Sequence, residues 1–347
     1  MRAARFDRYG PAEVVRIEER PVPEVGDDEV LVRVGASAVG VTDTVSRAGT
    51  PWFARLFFGL RRPKYPMLGT EFAGTVERVG AGVTRFAAGD RVFGAAEVGA
   101  GATAEVVVVA EHGAVAHAPA RLDAAHAVAT VDGFLTALPF LRDAGRVRPG
   151  QSVLVNGASG TVGSAAVQLA KHFGASVTAV TSGPNTELVR SLGADQVIDY
   201  TRKDFTTARD AYDVIFDAVG KSSFGACRRA LTAHGIYLTT VPTGAIMLQM
   251  PVTRVFRRGR RAAIAFTGLR DSRVKGVELE QLAGMVDTGA FVPVVDRTLP
   301  LDDIVAAHRR VETGHKVGSV VIAVADAAWP AAAAEVDADR QSNGAPA

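Results

Sequence analysis

Three glycines recur at three-residue intervals, Gly157, Gly160 and Gly163, in the stretch VLVNGASGTVGSAAVQLAKHFGASVTAV. Glycine permits a tight turn and lets backbone N–H groups approach a pyrophosphate, and the N-terminus of a following helix attracts the same anion. The spacing is G-x-x-G-x-x-G rather than G-x-G-x-x-G, so the motif alone is weak evidence. Its position inside a strand–turn–helix–strand pattern from Val153 to Val180 nevertheless predicts dinucleotide binding. A turn that uses glycine only for packing is the alternative.

The end of the second predicted strand distinguishes between the two nicotinamide dinucleotides. An acidic residue there would bind the ribose 2′-hydroxyl of NAD and would repel the 2′-phosphate of NADP. The sequence instead has Ser182 and Asn185 at this tip, with no acid before Glu187. Because serine and asparagine can donate hydrogen bonds to a phosphate, we expect NADPH, with NAD less favoured. The tip lacks the cation that phosphate sites usually include.

The composition is that of a folded protein without a disulfide or a cysteine-rich metal site. The chain has 347 residues, of which 48% are hydrophobic and 22% charged, and a net charge of +2. These values exclude wholesale disorder and give little support for nucleic-acid binding. At about 150 residues per domain, the length predicts two domains. Cys227 is the single cysteine.

The sequence also favours a cytoplasmic protein. The first ten residues, MRAARFDRYG, lack the apolar segment of a signal peptide. No stretch approaches the roughly 18 consecutive apolar residues that span a bilayer. We therefore expect neither a membrane nor a nucleic acid as a partner.

The elements that must position the glycine motif change in type near residue 124. Residues 1–124 show short alternating strands, typical of an antiparallel sandwich or partial barrel. In residues 125–287 strands alternate with helices, which predicts a doubly wound parallel sheet. The helix over AAHAVATVDGFLTALPFLRDAG is expected to be interrupted near Gly133; SSFGACRRALTAHG is predicted as a helix and AAIAFTGL as a strand. Residues 288–326 are predicted as a return segment that completes the first domain, and residues 327–347 as a frayed tail.

Several further blocks follow one another along nearly the whole chain: YGPAEVVRIEERPVPEVGDDEVLVRV, PMLGTEFAGTVERVGAGV, GDRVFG, LGADQVIDY, YDVIFDAVG and VETGHKVGSVVI. Together with the glycine motif they resemble the medium-chain dehydrogenases/reductases, on their zinc-independent, quinone-oxidoreductase-like side. The resemblance implies an α/β fold. A GroES-like β-rich catalytic domain would join a Rossmann-type doubly wound cofactor domain, with the substrate cleft between them.

Departures from the zinc-dependent branch of that family imply an enzyme that works without a metal. Where that branch has its catalytic cysteine and histidine ligands, this chain has Gly40 in GVTD and Thr70 in GTE. Asp132, near the third position, cannot hold zinc alone. Without a Lewis acid, reversible alcohol oxidation is disfavoured. The resemblance then implies hydride transfer from NADPH to a quinone or an α,β-unsaturated carbonyl compound.

The resemblance also assigns cofactor-binding residues at matched positions. The pyrophosphate would lie over the Gly-rich turn, and the adenosine phosphate beside Tyr200, whose alternative role is an aromatic cap on the sheet edge. The nicotinamide would lie near the ends of later strands, where doubly wound sheets bind ligands. The predicted cofactor-binding residues are Gly157, Ser159, Gly160, Thr161, Val162, Gly163, Ser182, Asn185, Tyr200, Asp217, Val219, Thr240, Val241, Phe266 and Thr267.

Three residues are candidates for catalysis: Asp43, Tyr65 and Thr136. Thr136 matches a position near the nicotinamide in relatives, and Asp43 in GVTDT matches an Asp common to that branch, which would place it near the active site. Asp43 could equally cap a helix, and Thr136 could bond within its own helix. Enoyl reductases of this class carry a tyrosine where this chain has Thr50. Tyr65 is then the remaining candidate proton donor, with simple packing before a proline as the alternative.

Two further segments have open interpretations. The insertion PWFARLFFGLRRPKYP, residues 51–66, has apolar residues at helical spacing, so we expect an amphipathic helix. It would either close over an apolar substrate pocket, with Trp52 and Phe57 lining it, or pack as a satellite element. The basic cluster RVFRRGRR, residues 254–261, is either a solvated face or a site for a phosphorylated acceptor such as a coenzyme A ester.

These features predict an NADPH-dependent, zinc-independent reductase of quinones or α,β-unsaturated carbonyl compounds. One alternative is an enoyl-thioester reductase for a coenzyme A or polyketide-type substrate. Another, from a different class, is a non-catalytic NADPH-binding sensor or RNA-binding protein. Relatives commonly dimerise through edge strands of their cofactor domains, so a homodimer through GIYLTTVPTG and AAIAFTGL is expected.

Overall fold

The computed structural model describes residues 1–255 and 259–324, which form two large β-sheets and a two-stranded one, with helices packed around them. The strands are β1 Arg2–Arg5, β2 Arg16–Glu19, β3 Glu29–Val39, β4 Glu71–Val79, β5 Arg91–Ala95, β6 Val106–Ala110, β7 Val115–His117, β8 Ser152–Asn156, β9 Ser176–Thr181, β10 Gln196–Asp199, β11 Tyr212–Asp217, β12 Leu231–Thr239, β13 Arg261–Ala263, β14 Val295–Pro300 and β15 Ser319–Ala323. The helices are α1 Val41–Ala48, α2 Arg55–Phe58, α3 Ala124–Pro139, α4 Thr161–His172, α5 Thr186–Ser191, α6 Phe224–Cys227, α7 Gly244–Val255, α8 Ser272–Asp287 and α9 Ile304–Glu312.

The six-stranded sheet is parallel throughout, in the order β10-β9-β8-β11-β12-β13. In its central strand β8, Val153, Leu154 and Val155 are fully buried, as expected for a strand covered on both faces. The strand order reverses between β8 and β11. Ligands of such sheets bind at this point, outside the carboxyl ends of the strands. The Gly-rich turn after β8 lies there.

The seven-stranded sheet joins the two ends of the chain. Its order is β14-β15-β3-β4-β5-β7, and β6 pairs with β3 as well. β15 runs antiparallel to β3, so the return segment and the N-terminal strands share one sheet. The predicted α/β fold, with a β-rich GroES-like part and a Rossmann-type sheet, is confirmed. The boundaries after residues 124 and 287 stay a prediction, and residues 327–347 lie outside the described part.

Helix α3 runs through Gly133 without the interruption that the sequence predicts. A Cβ atom at Gly133 would lie 2.6 Å from the Thr161 carbonyl oxygen, so this glycine allows α3 to approach α4 closely. A π-helical turn, Phe140–Ala144, follows α3. The stretch Ala124–Ala144 is long and apolar enough to cross a bilayer, but 78% of its most apolar window is buried inside the protein. It is therefore a core helix.

Two elements beside the parallel sheet are shorter than predicted. The helix over SSFGACRRALTAHG ends at Cys227, because Leu231 already begins β12 and pairs with Tyr212 of β11. The strand over AAIAFTGL is reduced to β13, and a 3-10 turn follows at Thr267. β12 has a neighbour on each side, so the prediction that it pairs with a second subunit is wrong. Within the described residues, β13 forms this edge of the sheet.

His308 of α9 is fully buried, and neither ring nitrogen has a hydrogen-bond partner among the described residues. Burial, together with the nearby Arg47 guanidinium, lowers the pKa of His308 from 6.5 to about 3. The unfolded chain therefore binds this proton more readily than the native protein. The contribution of His308 to stability is lost as the pH falls from about 6.5 towards 3.

We expect His308→Leu to remove much of this acid sensitivity. Protonation of His308 in the unfolded chain should lower the free energy of unfolding of the wild type by about 2 kcal/mol between pH 7 and pH 5. Urea denaturation at both pH values measures the fall, and His234→Leu, at an exposed position, is the matched control. An equal fall in wild type and His308→Leu would contradict the prediction.

Candidate functional site

The three glycines of the turn after β8 meet different physical requirements. Gly157 has a φ of +79°, and a Cβ atom there would lie 2.4 Å from Val219 Cγ1. At Gly163 a Cβ atom would approach the Gly157 carbonyl oxygen to 2.0 Å. At Gly160, the N-cap of α4, a Cβ atom would meet nothing closer than 3.5 Å. The protein's own packing thus requires Gly157 and Gly163, whereas Gly160 leaves open space at the helix N-terminus, where a pyrophosphate fits.

Thr161, the first residue of α4, directs its side chain towards the return segment. Its hydroxyl donates to the Gly318 carbonyl oxygen at 2.8 Å and accepts from the Lys316 ammonium. Val162 packs partly buried against the main core. Neither side chain is free to contact a phosphate. The predicted cofactor contacts of Thr161 and Val162 would therefore be made by their backbone N–H groups.

A polar cluster lies where β9 ends beside the turn. The Ser159 hydroxyl oxygen accepts from the Thr181 hydroxyl at 2.9 Å and from the Asn185 amide at 3.2 Å. The same amide donates to the Ser182 hydroxyl oxygen at 3.1 Å. Three predicted residues, Ser159, Ser182 and Asn185, are thus brought together at the position expected for the adenosine ribose.

Asp199, the last residue of the neighbouring strand β10, is an acid beside this tip that the sequence pattern did not reveal. A Cβ atom at Gly183 would lie 2.9 Å from Asp199 Oδ2. Asp199 pairs with Thr181 in the parallel register, which a search along the chain after β9 does not reveal. Arg202 forms an ion pair with Asp199 at 3.8 Å, and Tyr200 between them is 53% exposed. Both charge signs are therefore present at the tip, and the cofactor contact of Tyr200 stays a prediction.

Asp217, at the end of β11, organises the loop that follows. It is fully buried. Its two carboxylate oxygens accept from the Asn156 amide, from the N–H groups of Val219, Gly220 and Ser222, and from the Tyr237 hydroxyl. Because both oxygens are occupied, Asp217 shapes the loop and offers no free carboxylate to a ligand. The predicted contact of Asp217 with the cofactor stays a prediction for its main chain.

The other residues predicted at strand ends lie along the same edge. Val219, Val241 and Phe266 are 42%, 38% and 51% exposed. The Thr240 hydroxyl donates to a carbonyl oxygen of the loop after β11, at 3.2 Å, and Thr267 begins the 3-10 turn after β13. Exposed apolar side chains at this edge suit a nicotinamide ring, and their contact with it stays a prediction.

Asp43 caps helix α1 and also binds the segment before β4. One of its oxygens accepts from the Gly40 N–H at 2.8 Å and the other from the Gly69 N–H at 3.2 Å. Burial raises the pKa of Asp43 to about 6; the two hydrogen bonds oppose this shift, and the Asp132 carboxylate adds to it. The structure thus shows the helix cap and, at the same time, a carboxyl group close to Asp132.

Glu71 and Asp132 complete a group of three carboxyl groups. Glu71 accepts from the Thr70 hydroxyl at 2.7 Å, and Asp132 accepts from the Thr136 hydroxyl at 3.3 Å. Burial raises the pKa of Glu71 to about 8, and the Asp132 and Asp43 charges contribute to this rise. Carboxylates so placed cannot all ionise, and the raised pKa of Glu71 favours its protonated form at pH 7.

The group does not fit a catalytic zinc. Gly40 and Thr70 provide neither the thiolate nor the imidazole that occupies these positions in zinc dehydrogenases, and zinc prefers three such N or S donors. Over residues 1–255 and 259–324, no group of three or more His, Cys, Asp or Glu side chains is arranged to hold a metal ion. The donor set instead suits a protonated acid.

Tyr65, the predicted proton donor, packs against a turn. A Cβ atom at Gly99 would lie 2.5 Å from Tyr65 Cδ1. The Lys64 ammonium lies 5.0 Å from the centre of the Tyr65 ring. These contacts favour the packing interpretation that the sequence left open.

Segment 51–66 does not form the predicted amphipathic helix. It contains a 3-10 turn, Trp52–Ala54, and the single helical turn α2, which ends at Gly59 with a φ of +113°. Trp52 and Phe57 are 73% and 70% exposed. Neither side chain is packed in the core, and their role in a substrate pocket stays a prediction.

Glu71 and Lys316 were absent from the predicted site. Glu71 directly follows Thr70 in GTE. An acid next to the position of a zinc ligand in the zinc-dependent branch could have indicated Glu71 as a site residue. Lys316 lies 155 residues from Thr161 in sequence, and nothing in its local pattern indicates this contact.

Known proteins are similar to this chain over most of its length. The family model described as "Alcohol dehydrogenase GroES-like domain" matches residues 26–120, and that described as "Zinc-binding dehydrogenase" matches residues 192–322. A 2-methylene-furan-3-one reductase from Solanum lycopersicum is 33% identical over 93% of this chain and 79% of its own. An NADPH-dependent alkenal/one oxidoreductase, chloroplastic, from Arabidopsis thaliana is 32% identical over the same shares. The solved quinone oxidoreductase from Coxiella burnetii superposes with a TM-score of 0.81, at 28% identity, over 94% of this chain and 99% of its own.

Proposed function

Since this chain belongs to the medium-chain dehydrogenase/reductase superfamily, we propose that it is an NADPH-dependent, zinc-independent reductase that acts on a quinone or an α,β-unsaturated carbonyl compound. The relatives named for such substrates, a furanone reductase, an alkenal/one oxidoreductase and a quinone oxidoreductase, support this substrate class.

One observation carries the proposal: the carboxyl groups of Asp43, Glu71 and Asp132 lie close enough for the first and last to raise the pKa of Glu71. Gly133 packs α3 against Thr161 at the start of α4, and Asp132 directly precedes Gly133 on α3. Asp132 and burial together keep Glu71 protonated at pH 7. The site thus offers a proton source, which supports reduction of a conjugated acceptor.

Different residues of the chain have different roles in this reaction. When bound, NADPH supplies the hydride. The open N-terminus of α4 holds the pyrophosphate, and the apolar edge formed by Val219, Val241 and Phe266 excludes water from the nicotinamide. The acceptor gains hydride at one end of its conjugated system and one proton at the other. Glu71 gives up this proton and regains one from solvent.

We expect Ser182→Asp to weaken the preference for NADPH. A second carboxylate at this tip, added to that of Asp199, would repel the 2′-phosphate, so kcat/KM for NADPH should fall roughly 30-fold, while the value for NADH stays within about 3-fold. Steady-state kinetics with both cofactors measures the effect, and Ser182→Ala controls for loss of the hydroxyl. A wild type that prefers NADH, or equal losses for both cofactors, would show that this tip does not face the 2′-phosphate.

The enoyl-thioester alternative lacks a supporting observation. Arg260 pairs with Asp210, and its Nε donates to the Leu231 carbonyl oxygen at 2.9 Å. These residues lie at the amino ends of β11 and β12, the edge of the sheet opposite to the cofactor turn. Residues 256–258 of the basic cluster lie outside the described part. A sensor or RNA-binding role, a homodimer and a cytoplasmic location stay predictions.

Deuterium transfer tests the proposed reaction. With NADPH deuterated at the transferring C4 position and a simple enone, mass spectrometry should find one deuterium on the β-carbon of the product. The accompanying proton should come from solvent and appear as a second label in D2O. Label at the carbonyl carbon would instead indicate reduction to an alcohol and would contradict the proposal.

A further inference from the structure

Segment 51–66 directs its apolar side chains away from the protein. The 3-10 turn Trp52–Ala54 continues directly into α2, so the two form one short helical stretch. Ala54 is buried on one side of this stretch. The exposed apolar residues are Trp52, Phe53, Leu56 and Phe57, which recur four residues apart on the other side, and Leu60 after α2, with exposed fractions of 73%, 38%, 61%, 70% and 66%. Helices of globular proteins direct such residues towards the core, so the arrangement here is the reverse.

Polar contacts fix the backbone that presents these side chains. The Tyr9 hydroxyl donates to the Gly59 carbonyl oxygen at the end of α2. At its start, the Arg55 Nε donates to the Gly49 carbonyl oxygen at 3.0 Å, and the Arg55 guanidinium lies 4.7 Å from the centre of the Tyr9 ring. The exposure of the apolar side chains therefore results from how the segment is attached to the rest of the protein.

The charge around these apolar residues has a single sign. Asp43 and Glu71 flank the segment, and the sequence between them contains no other acid. The basic residues of segment 51–66 are Arg55, Arg61, Arg62 and Lys64. The last three are exposed. An apolar surface bordered by exposed cations is typical of protein segments that lie on anionic membranes.

We propose that segment 51–66 is a docking surface for an anionic lipid bilayer. Its aromatic and leucine side chains enter the boundary between headgroups and acyl chains, and its cations contact the lipid phosphates. A second copy of this chain fits less well, because two such surfaces would bring like charges together. The proposal departs from the sequence expectation of no membrane partner. It concerns binding and does not depend on the proposed function.

Co-sedimentation of the full chain with lipid vesicles tests the docking surface. The wild type should bind vesicles of phosphatidylcholine with roughly 30% phosphatidylglycerol at least 10-fold more tightly than vesicles of phosphatidylcholine alone. The double variant Leu56→Ser and Leu60→Ser should weaken binding to the anionic vesicles at least 10-fold. The double variant Arg61→Gln and Arg62→Gln should weaken it roughly 30-fold, and high salt should have a similar effect on the wild type.

Matched controls change exposed residues of the same types elsewhere. Val277→Ser alters a side chain of α8 that is 66% exposed, and the double variant Arg228→Gln and Arg229→Gln removes two exposed cations. Both controls should bind anionic vesicles like the wild type. Thermal unfolding should give similar melting temperatures for all four variants, because the altered side chains are exposed.

Trp52 reports directly on insertion into the lipid. The chain has two tryptophans, Trp52 and Trp329, so Trp329→Phe leaves Trp52 as the emitting residue. Anionic vesicles should shift its fluorescence to shorter wavelength, and brominated acyl chains should quench it, because the indole ring moves from water to the membrane interface. Unchanged emission with vesicles present would contradict insertion of this segment.

The other outcomes assign the segment a different role. Vesicle binding that is absent in the wild type, or equal in the wild type and both double variants, would overturn the proposal. A wild-type dimer that Leu56→Ser and Leu60→Ser dissociate, without vesicle binding, would overturn it in favour of a second copy. A raised KM for a water-soluble enone in that variant, with vesicle binding unchanged, would overturn it in favour of a lid over the substrate. Vesicle binding that depends on the segment, without turnover of any conjugated acceptor, would support the docking surface and contradict the proposed function.

Discussion

The Gly160→Val variant is expected to fold normally and to bind NADPH at least 100-fold more weakly than the wild type. A Cβ atom at Gly160 would meet no protein atom closer than 3.5 Å. A pyrophosphate over the N-terminus of α4 would occupy the same space. The melting temperature should stay within about 4 °C of the wild type, because only a helix-cap preference is lost. Calorimetric titration and thermal unfolding measure the two quantities.

Gly163→Ala is the matched comparison within the same turn. Its Cβ atom would meet the Gly157 carbonyl oxygen at 2.0 Å, so this change should destabilise the fold by about 3 kcal/mol or more whether or not a ligand binds. Substitution of Gly160 thus tests the space for the ligand, whereas substitution of Gly163 tests the packing of the protein itself. Unchanged NADPH affinity in Gly160→Val would show that the pyrophosphate does not lie over this turn.

Glu71→Gln is expected to lower kcat for enone reduction about 100-fold, the contribution typical of a positioned general acid. Glutamine keeps the shape of the neutral acid and its contact with Thr70 but has no proton to give. The KM for the enone should change little, because the substrate's binding surface is preserved. Stopped-flow oxidation of NADPH measures the chemical step separately from product release.

The pH dependence supplies an independent readout of Glu71. With a pKa of about 8 for Glu71, wild-type kcat should be level below pH 8 and decline above it as the proton is lost. Asp132→Asn removes a charge that raises this pKa, so the decline should move to lower pH. Glu71→Gln should lack the decline. If kcat declined above pH 8 in both variants as it does in the wild type, a group other than Glu71 would be the proton donor.

Stability should change with pH in the same direction. The folded protein holds the Glu71 proton more tightly than the unfolded chain, whose ordinary value is 4.5. The contribution of Glu71 to stability is therefore complete below about pH 4.5 and is lost as the pH rises towards 8. Glu71→Gln should accordingly be more stable than the wild type at pH 8, on the order of 4 kcal/mol.

The sequence alone correctly predicted the parts of the fold that depend on residues close together in the chain. The glycine spacing and the alternation of strands and helices predicted the Rossmann-type sheet and the turn after β8, because both depend on neighbouring residues. Ser159, Ser182 and Asn185 were predicted for the same reason and lie together. These positions follow from one strand–turn–helix–strand unit.

The errors concern contacts between residues that are distant in sequence. Gly133 suggested a helix break, yet it serves the packing of α3 on α4. Asp199 reaches the tip of β9 through strand pairing, and Lys316 reaches α4 through the return segment. Such roles depend on tertiary neighbours that a linear pattern does not contain.

The most direct test of a metal-free, NADPH-dependent reductase follows the absorbance of NADPH at 340 nm with a panel of quinones and α,β-unsaturated aldehydes and ketones. The protein is first dialysed against a strong chelator. We predict turnover of at least one class of these acceptors, unchanged by the chelator and faster with NADPH than with NADH. The contrary result would be no turnover of any conjugated acceptor, together with oxidation of a simple secondary alcohol that requires added zinc.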